Sequence, residues 1–169
     1  MNSKTAIYPG TFDPITFGHI DLIQRALKLF PRVHILVAKN TQKLPLFTVQ
    51  ERMALIRRSL KNEKKIMISS FAGLTVDFAV QQNCSVIIRG LRVISDFEHE
   101  FQMALTNRHL NQHIETVFLM PNEKYAYLNS TIVKEIIRVG GKVDSFVPPP
   151  VLAALLKKYK KKFRPKVTR

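Results

Sequence analysis

Short runs of apolar and β-branched residues alternate along this chain with stretches whose apolar positions recur every three or four residues, the periods of strand and helix respectively. Thr5–Tyr8 reads as a first strand; over Gly18–Phe30, Ile20, Ile23, Leu27 and Phe30 then fall on one helix face. Val33–Val37 predicts the second strand. Thr48-Val-Gln-Glu51 spells a capping box that starts a helix to about Leu60, with Met53, Leu55, Ile56 and Leu60 available for packing. Ile66–Ser69, Val86–Ile88 and Thr116–Leu119 read as three further strands, with helices between them near Leu74–Gln82 and Ser95–Asn111. A polar loop follows, then a helix over Ser130–Val139 that Gly140-Gly141 stops. Pro148-Pro149-Pro150 opens a last helix whose apolar face comprises Val151, Leu152, Leu155 and Leu156.

Five alternations of strand and helix with short connections predict βαβ units. The expected class is α/β: a doubly wound, Rossmann-like, five-stranded parallel sheet with helices on both faces, in a single domain. Such sheets bind ligands beyond the carboxyl ends of their strands, where the strand order reverses, so functional residues are expected just after strands.

Composition changes this picture in one respect. The 169 residues are 46% hydrophobic, enough for a sizeable core, but carry a formal charge of +15. Eight of the 27 Lys and Arg, and no acid, fall in Lys157–Arg169, so the preceding residues carry only +7. The organisation expected is a domain over 1–156 followed by a basic tail over 157–169. Positive charge suits nucleic acid as a partner, and equally an enzyme that must gather polyanionic substrates. No RNA- or DNA-binding signature supports the first, and no specific nucleic acid is expected. No apolar run approaches membrane-spanning length, and Met1–Tyr8 has no export-signal pattern, so a cytoplasmic protein without membrane association is expected. Cys84 stands alone, which excludes an internal disulfide and a Cys-rich zinc site. His34, His99, His109 and His113 form no tight metal spacing with acids, so no metal ligand is nominated.

The chemistry concentrates after the first strand, in Tyr8-Pro-Gly-Thr-Phe-Asp-Pro-Ile-Thr-Phe-Gly-His19. Gly10 is expected to permit a turn that a side chain would block, and Thr11 offers a hydroxyl at the strand end. Gly18-His19 opens a helix, whose N-terminus presents N–H groups and partial positive charge to an anion. Lys43 follows the second strand, and Arg89 and Arg92 follow the fourth, divided by Gly90, which is read as permitting a tight approach. Tyr125-Ala126-Tyr127-Leu128-Asn129-Ser130-Thr131 precedes and opens the fifth helix, where hydroxyls and backbone N–H groups can hold phosphates.

Thr16-Phe17-Gly18-His19 resembles the (T/H)-x-G-H hallmark of the nucleotidyltransferase superfamily. Tyr8–Thr16, Ile88-Arg-Gly-Leu-Arg92, Asp96-Phe-Glu98, Asn107-Arg-His-Leu110 and Val117-Phe-Leu-Met-Pro121 sharpen the likeness, over about Ala6–Val147, to the bacterial phosphopantetheine adenylyltransferases. That resemblance implies transfer of AMP from ATP to 4′-phosphopantetheine, giving dephospho-coenzyme A and pyrophosphate, the penultimate step of coenzyme A synthesis. It implies that Thr11, Lys43, Thr75 and Arg89 contact the acceptor, and that Thr11, Phe12, His19, Gly90, Leu91, Arg92, Glu100 and the 125–131 block contact ATP. His19, Thr11, Lys43 and Arg92 are the expected catalytic groups, His19 stabilising the transition state, with Mg2+ carried by the ATP phosphates. A homohexamer is implied as well. Asn129 departs from the family pattern, standing where Ser is usual, and can still cap a helix. The competing readings are a sister enzyme acting on nicotinamide mononucleotide or a polyol phosphate, and a basic nucleic-acid-binding protein.

Overall fold

The computed structural model describes residues 5–39, 45–61, 63–92 and 94–162, without the side chains of 94–96 and 160–162. Strands β1 (Thr5–Gly10), β2 (Arg32–Ala38), β3 (Ile66–Phe71), β4 (Val86–Gly90) and β5 (Glu115–Leu119) form one sheet in the order β3-β2-β1-β4-β5. All its pairings are parallel, with Tyr8 beside Ile35, Ile7 beside Ile87 and Arg89 beside Phe118. The helices among the described residues are α1 (Phe17–Leu29), α2 (Val49–Leu60), α3 (Thr75–Gln81), α4 (Ile94–Leu110), α5 (Ser130–Arg138) and α6 (Pro149–Lys162), with a 3-10 turn over Glu123–Tyr125. The chain winds outward from β1 to β3, then returns across the sheet to β4, which makes the junction of β1 and β4 the point where the order reverses.

Alternation along each strand sorts the core into two faces. Ala6, Tyr8, Val33, Ile35, Val37 and Ile88 point to one face and meet Leu22 and Ile23 of α1, Leu55 and Ile56 of α2, Val133 of α5 and Val151 and Leu155 of α6. Ile7, Leu36 and Ile87 point to the other, beneath Val76, Phe78 and Ala79 of α3. This second cover is thin. Right-handed crossovers place α4 on the same side as α3. α4 leaves Phe97, Phe101 and Leu105 exposed, with the two Phe rings stacked 5.6 Å apart.

The elements differ from the sequence reading mainly at their ends. β1 runs on to Gly10 and β4 to Gly90, so the loops that carry Thr11 and Arg92 begin later than expected. α6 continues to Lys162, past the expected start of the tail at Lys157. Lys158 Nζ lies 2.9 Å from the Glu51 carboxylate of α2 and 5.4 Å from the centre of the Phe47 ring, while the Tyr159 hydroxyl donates to the Lys134 carbonyl at 3.2 Å. Those anchors account for a basic stretch being helical rather than frayed. Leu156, expected on the apolar face, is 44% exposed: Val151 and Leu155, four apart, face the core, and the next residue turns about 100° away.

Candidate active site

A cavity of about 380 Å3 opens at the carboxyl ends of β1 and β4. Thr11, Phe12, Gly18, His19, Thr75, Arg89, Gly90, Arg92, Glu100, Tyr125, Leu128 and Ser130 border it, so residues from the first loop, β4, α3, α4 and the 125–131 block meet there. Gly10, expected only as a turn residue, and Tyr8, Pro9, Leu22, Ala38 and Pro121, given no site role from sequence, complete the lining. They carry the apolar signature of core or turn residues, and only the folded topology reveals that they face a ligand. Lys43 lies outside the described residues.

The first loop is built around its own hydrogen bonds. Thr16 is the N-cap of α1, and it forms a capping box whose other member is His19. The Thr16 backbone N–H donates to His19 Nδ1 at 3.1 Å, and the Thr16 hydroxyl oxygen lies 2.8 Å from the same nitrogen. A backbone N–H can only donate, so Nδ1 is an acceptor and the neutral ring carries its proton on Nε2. Burial, then the charge of Arg92, pushes the His19 pKa down to about 4. His19 is therefore neutral at pH 7, with Nε2–H as its donor.

Two glycines make the close approaches expected of them, and in each the neighbour is a side chain. Gly10 ends β1, and a Cβ there would lie 2.9 Å from the Phe12 ring; the left-handed residue in this turn is Phe12 itself, at φ 48°. Gly10 thus makes room for Phe12, whose ring packs 5.5 Å from Tyr8 and 5.1 Å from His19. That ring is only 2% exposed. At Gly90 the close approach is made by α1, since a Cβ would fall 2.4 Å from Leu22 Cδ1. Gly18 is the contrasting case: an added Cβ would meet nothing nearer than 3.6 Å, so packing does not demand the glycine, and its missing side chain keeps cavity space open.

Across the cavity, Arg89 is forked onto Glu100. Its Nε and one terminal nitrogen donate to the two Glu100 carboxylate oxygens, each at 2.5 Å, and the other reaches the Pro9 carbonyl at 3.4 Å. Burial raises the pKa of Tyr8 beneath them well above the usual phenol value, opposed by the charges of Arg89 and Arg92, so its hydroxyl stays protonated.

The 125–131 block divides. Tyr125, Leu128 and Ser130 border the cavity; Leu91, Ala126, Tyr127, Asn129 and Thr131 are not among its lining. The Tyr127 ring instead packs edge-on to Phe146 and is 57% exposed, while the Leu91 N–H donates to the Leu119 carbonyl, continuing the sheet. Asn129 caps α5 by accepting from the Ile132 N–H at 2.8 Å. The Ser130 hydroxyl donates to the Pro14 carbonyl at 2.7 Å, which commits its proton to the first loop.

Asp13 and Arg52 are functional candidates that sequence reasoning passed over. Asp13, 3% exposed, accepts from the backbone N–H groups of Leu46 and Phe47 at 2.9 Å each and from Lys134 Nζ at 2.9 Å. Arg52 donates from one terminal nitrogen to the carbonyls of Thr11 at 2.6 Å and Ala38 at 3.1 Å. The signal was present: Arg52 sits three and four residues before Leu55 and Ile56, on the buried face of α2, where a charged side chain is out of place.

Among the described residues no group of three or more His, Cys, Asp and Glu is arranged to hold a metal ion, and no helix is long and apolar enough to cross a membrane. Glu100 is the carboxylate that borders the cavity, and it is forked to Arg89. The donors facing the cavity are thus suited to a phosphate-rich ligand, which can bring its own cation.

Comparison with known proteins agrees. The cytidylyltransferase-like family model matches residues 7–136. The chain is 52% identical over 152 residues to a phosphopantetheine adenylyltransferase of Opitutus terrae, covering 90% of this chain and 95% of that one. It is also 52% identical over 161 residues to the protein of that name from Methylacidiphilum infernorum, covering 94% and 93%. A solved structure from Vibrio parahaemolyticus, described as a candidate nicotinate-nucleotide adenylyltransferase, superposes with a TM-score of 0.64 at 17% identity over 90% of this chain and 97% of that one, a likeness of fold.

Proposed function

The chain belongs to the cytidylyltransferase-like family and, within it, to the phosphopantetheine adenylyltransferases; from this premise we infer that it transfers the adenylyl group of ATP to 4′-phosphopantetheine, releasing pyrophosphate. The observation that carries the reading is the convergence of His19, Arg89 and Arg92 on one cavity at the point where the strand order reverses.

The acceptor phosphate is already anionic, so no strong base is needed to create a nucleophile. The difficulty lies in bringing two polyanions together and stabilising charge on the α-phosphate oxygens and the departing pyrophosphate. An acceptor oxygen attacks the α-phosphorus, and the bond from that phosphorus to the bridging oxygen breaks in line. Neutral His19, held by Thr16 through Nδ1, donates Nε2–H to the oxygens where charge grows. Arg92 and Thr11 serve the same phosphates, and Lys43 from the second loop joins them. Thr75 and Arg89 hold the acceptor; Phe12, Gly90 and Glu100 line the nucleotide side with Leu91 adjoining Gly90 behind them, and the start of α5 with the 125–131 block holds the outer phosphates. A magnesium ion carried by the ATP phosphates would supply charge neutralisation, and no side chain of the cavity is assigned to hold it.

The exposed apolar residues of α4 support assembly into a homo-oligomer, and the hexamer is the form we propose. A cytoplasmic location follows from the substrates.

The test is ATP-dependent pyrophosphate release with 4′-phosphopantetheine, nicotinamide mononucleotide and glycerol 3-phosphate in parallel. Turnover with the first alone is expected; preference for either of the others would replace this reading with a sister activity. With an isotopically chiral α-phosphorus the product should be inverted, and net retention would mean a covalent adenylyl-enzyme.

A further inference from the structure

Arg52 is 1% exposed and cannot touch a ligand, yet its guanidinium bridges the carbonyls of Thr11 and Ala38, at the carboxyl ends of two adjacent strands and both on the cavity lining. A buried guanidinium is an expensive way to hold two carbonyls. Taking it out of water is costly, and apolar residues of similar volume at such sites are often neutral or stabilising. Here the compensation is incomplete, since Arg52 Nε is buried with no hydrogen-bond partner among the described residues. A leucine or methionine at this point on the α2 face would continue the stripe of Leu55 and Ile56. Fold stability alone therefore gives a poor account of the arginine.

The same loop is held from its other side. Asp13, two residues after Thr11, is fixed by the N–H groups that lead into α2 and by Lys134 of α5. The Ser130 hydroxyl ties α5 to Pro14. Between these anchors the backbone carries Phe12 at φ 48°, a conformation that a bulky residue adopts only where its surroundings impose it. The first loop is thus set from α2 and α5 before any substrate arrives.

We propose that Arg52 is a positioning residue for adenylyl transfer: by gripping the Thr11 and Ala38 carbonyls from below, it fixes where the Thr11 hydroxyl meets the reacting phosphates. This rests on the activity proposed above. A misplacement of about 1 Å at such a loop costs up to about 100-fold in rate.

The test is a double-mutant cycle in the full-length protein, read by pyrophosphate release at a temperature well below every variant's unfolding midpoint. Arg52→Lys keeps the charge but has a shorter reach and lacks the guanidinium's geometry. It should lower kcat about 10- to 100-fold while changing KM for ATP less than about 3-fold. In a Thr11→Ala background, where the aimed hydroxyl is gone, the same substitution should change kcat less than about 2-fold. A purely structural arginine would shift the unfolding midpoint and leave kcat alone, or add its loss fully to that of Thr11→Ala; either result overturns the proposal. If Arg52→Lys does not fold, Asp13→Asn takes its place in the same cycle, loosening the same loop, with the same expected non-additivity. Absence of wild-type turnover would instead refute the activity, so the two failures are distinguishable.

Discussion

The two walls of the cavity differ in how far they rest on buried side chains bonded to backbone. The wall formed by the first loop and the start of α1 is set largely by side chains bonding to backbone: buried Asp13 to two N–H groups, buried Arg52 to two carbonyls, and half-buried His19 to the Thr16 N–H. The wall at the end of β4 centres on an ion pair between side chains, Arg89 on Glu100, with both partners partly open to solvent, and a longer bond from Arg89 to the Pro9 carbonyl. Backbone anchors hold the first wall rigid without a ligand. An arginine fork can exchange its carboxylate for a phosphate, because the two present similar oxygens. The contrast suggests a division of labour in which one wall presents fixed donors to the reacting centre and the other captures and adapts.

Stability offers the strongest way to break this comparison. Asp13→Ala would strand the Lys134 ammonium and two backbone N–H groups and deprive Arg52 of a nearby opposing charge. Denaturant unfolding should report a loss of about 3–5 kcal/mol. Glu100→Gln, on the more open wall, should cost less than about 2 kcal/mol. Equal losses would erase the distinction between the walls.

Catalysis comes next. His19→Ala should lower kcat by about 10²- to 10³-fold, the usual effect of losing one donor to developing charge, while ATP affinity changes little. A matched loss in both would assign His19 to binding, and the first wall would then be no different in kind from the second. Arg89→Ala should leave kcat nearly intact and weaken acceptor binding about 10- to 100-fold by titration calorimetry, the range for a hydrogen bond to a charged group. Unchanged acceptor affinity would remove Arg89 from the capturing wall.

What could be read from the chain follows the same division. Strand and helix periods are local, and so are the capping box at Thr48-Glu51 and a helix start near Gly18-His19, one residue after the observed start at Phe17; all of these were legible, along with the parallel sheet they imply. Partnerships across many residues were not. Nothing near Asp13 announces that residues 46, 47 and 134 converge on it, and the Arg89–Glu100 fork joins a strand to a helix one element later. Local signals also leave partners unnamed. Gly90 reads as permitting a tight approach, and the fold shows that Leu22 of α1 makes it; Gly10 reads as permitting a turn that a side chain would block, and the fold shows that the Phe12 ring is what a Cβ would meet. In both cases the neighbour that decides the glycine's role is a side chain whose position only the fold supplies.

The smallest effect concerns pH, and it tests whether the first wall holds its histidine neutral as described. The folded-state pKa of His19 is about 4, depressed by burial and then by Arg92, against about 6.5 in the unfolded chain. Between those values the unfolded chain takes up a proton that the folded protein refuses. Stability from this group therefore falls as pH drops from 6.5 to 4 and is level outside that window, with a slope of at most about 1.4 kcal/mol per pH unit. His34, whose pKa burial also lowers, adds a slope of the same sign, so the informative quantity is the difference between the wild type and His19→Gln. Unfolding free energies measured across pH 4–7 should be less pH-dependent in the variant. Parallel curves would mean that His19 is as readily protonated in the folded protein as in the unfolded chain. Its Nδ1 could not then be accepting from Thr16, and the first wall would have lost the feature that aims Nε2 at the substrate.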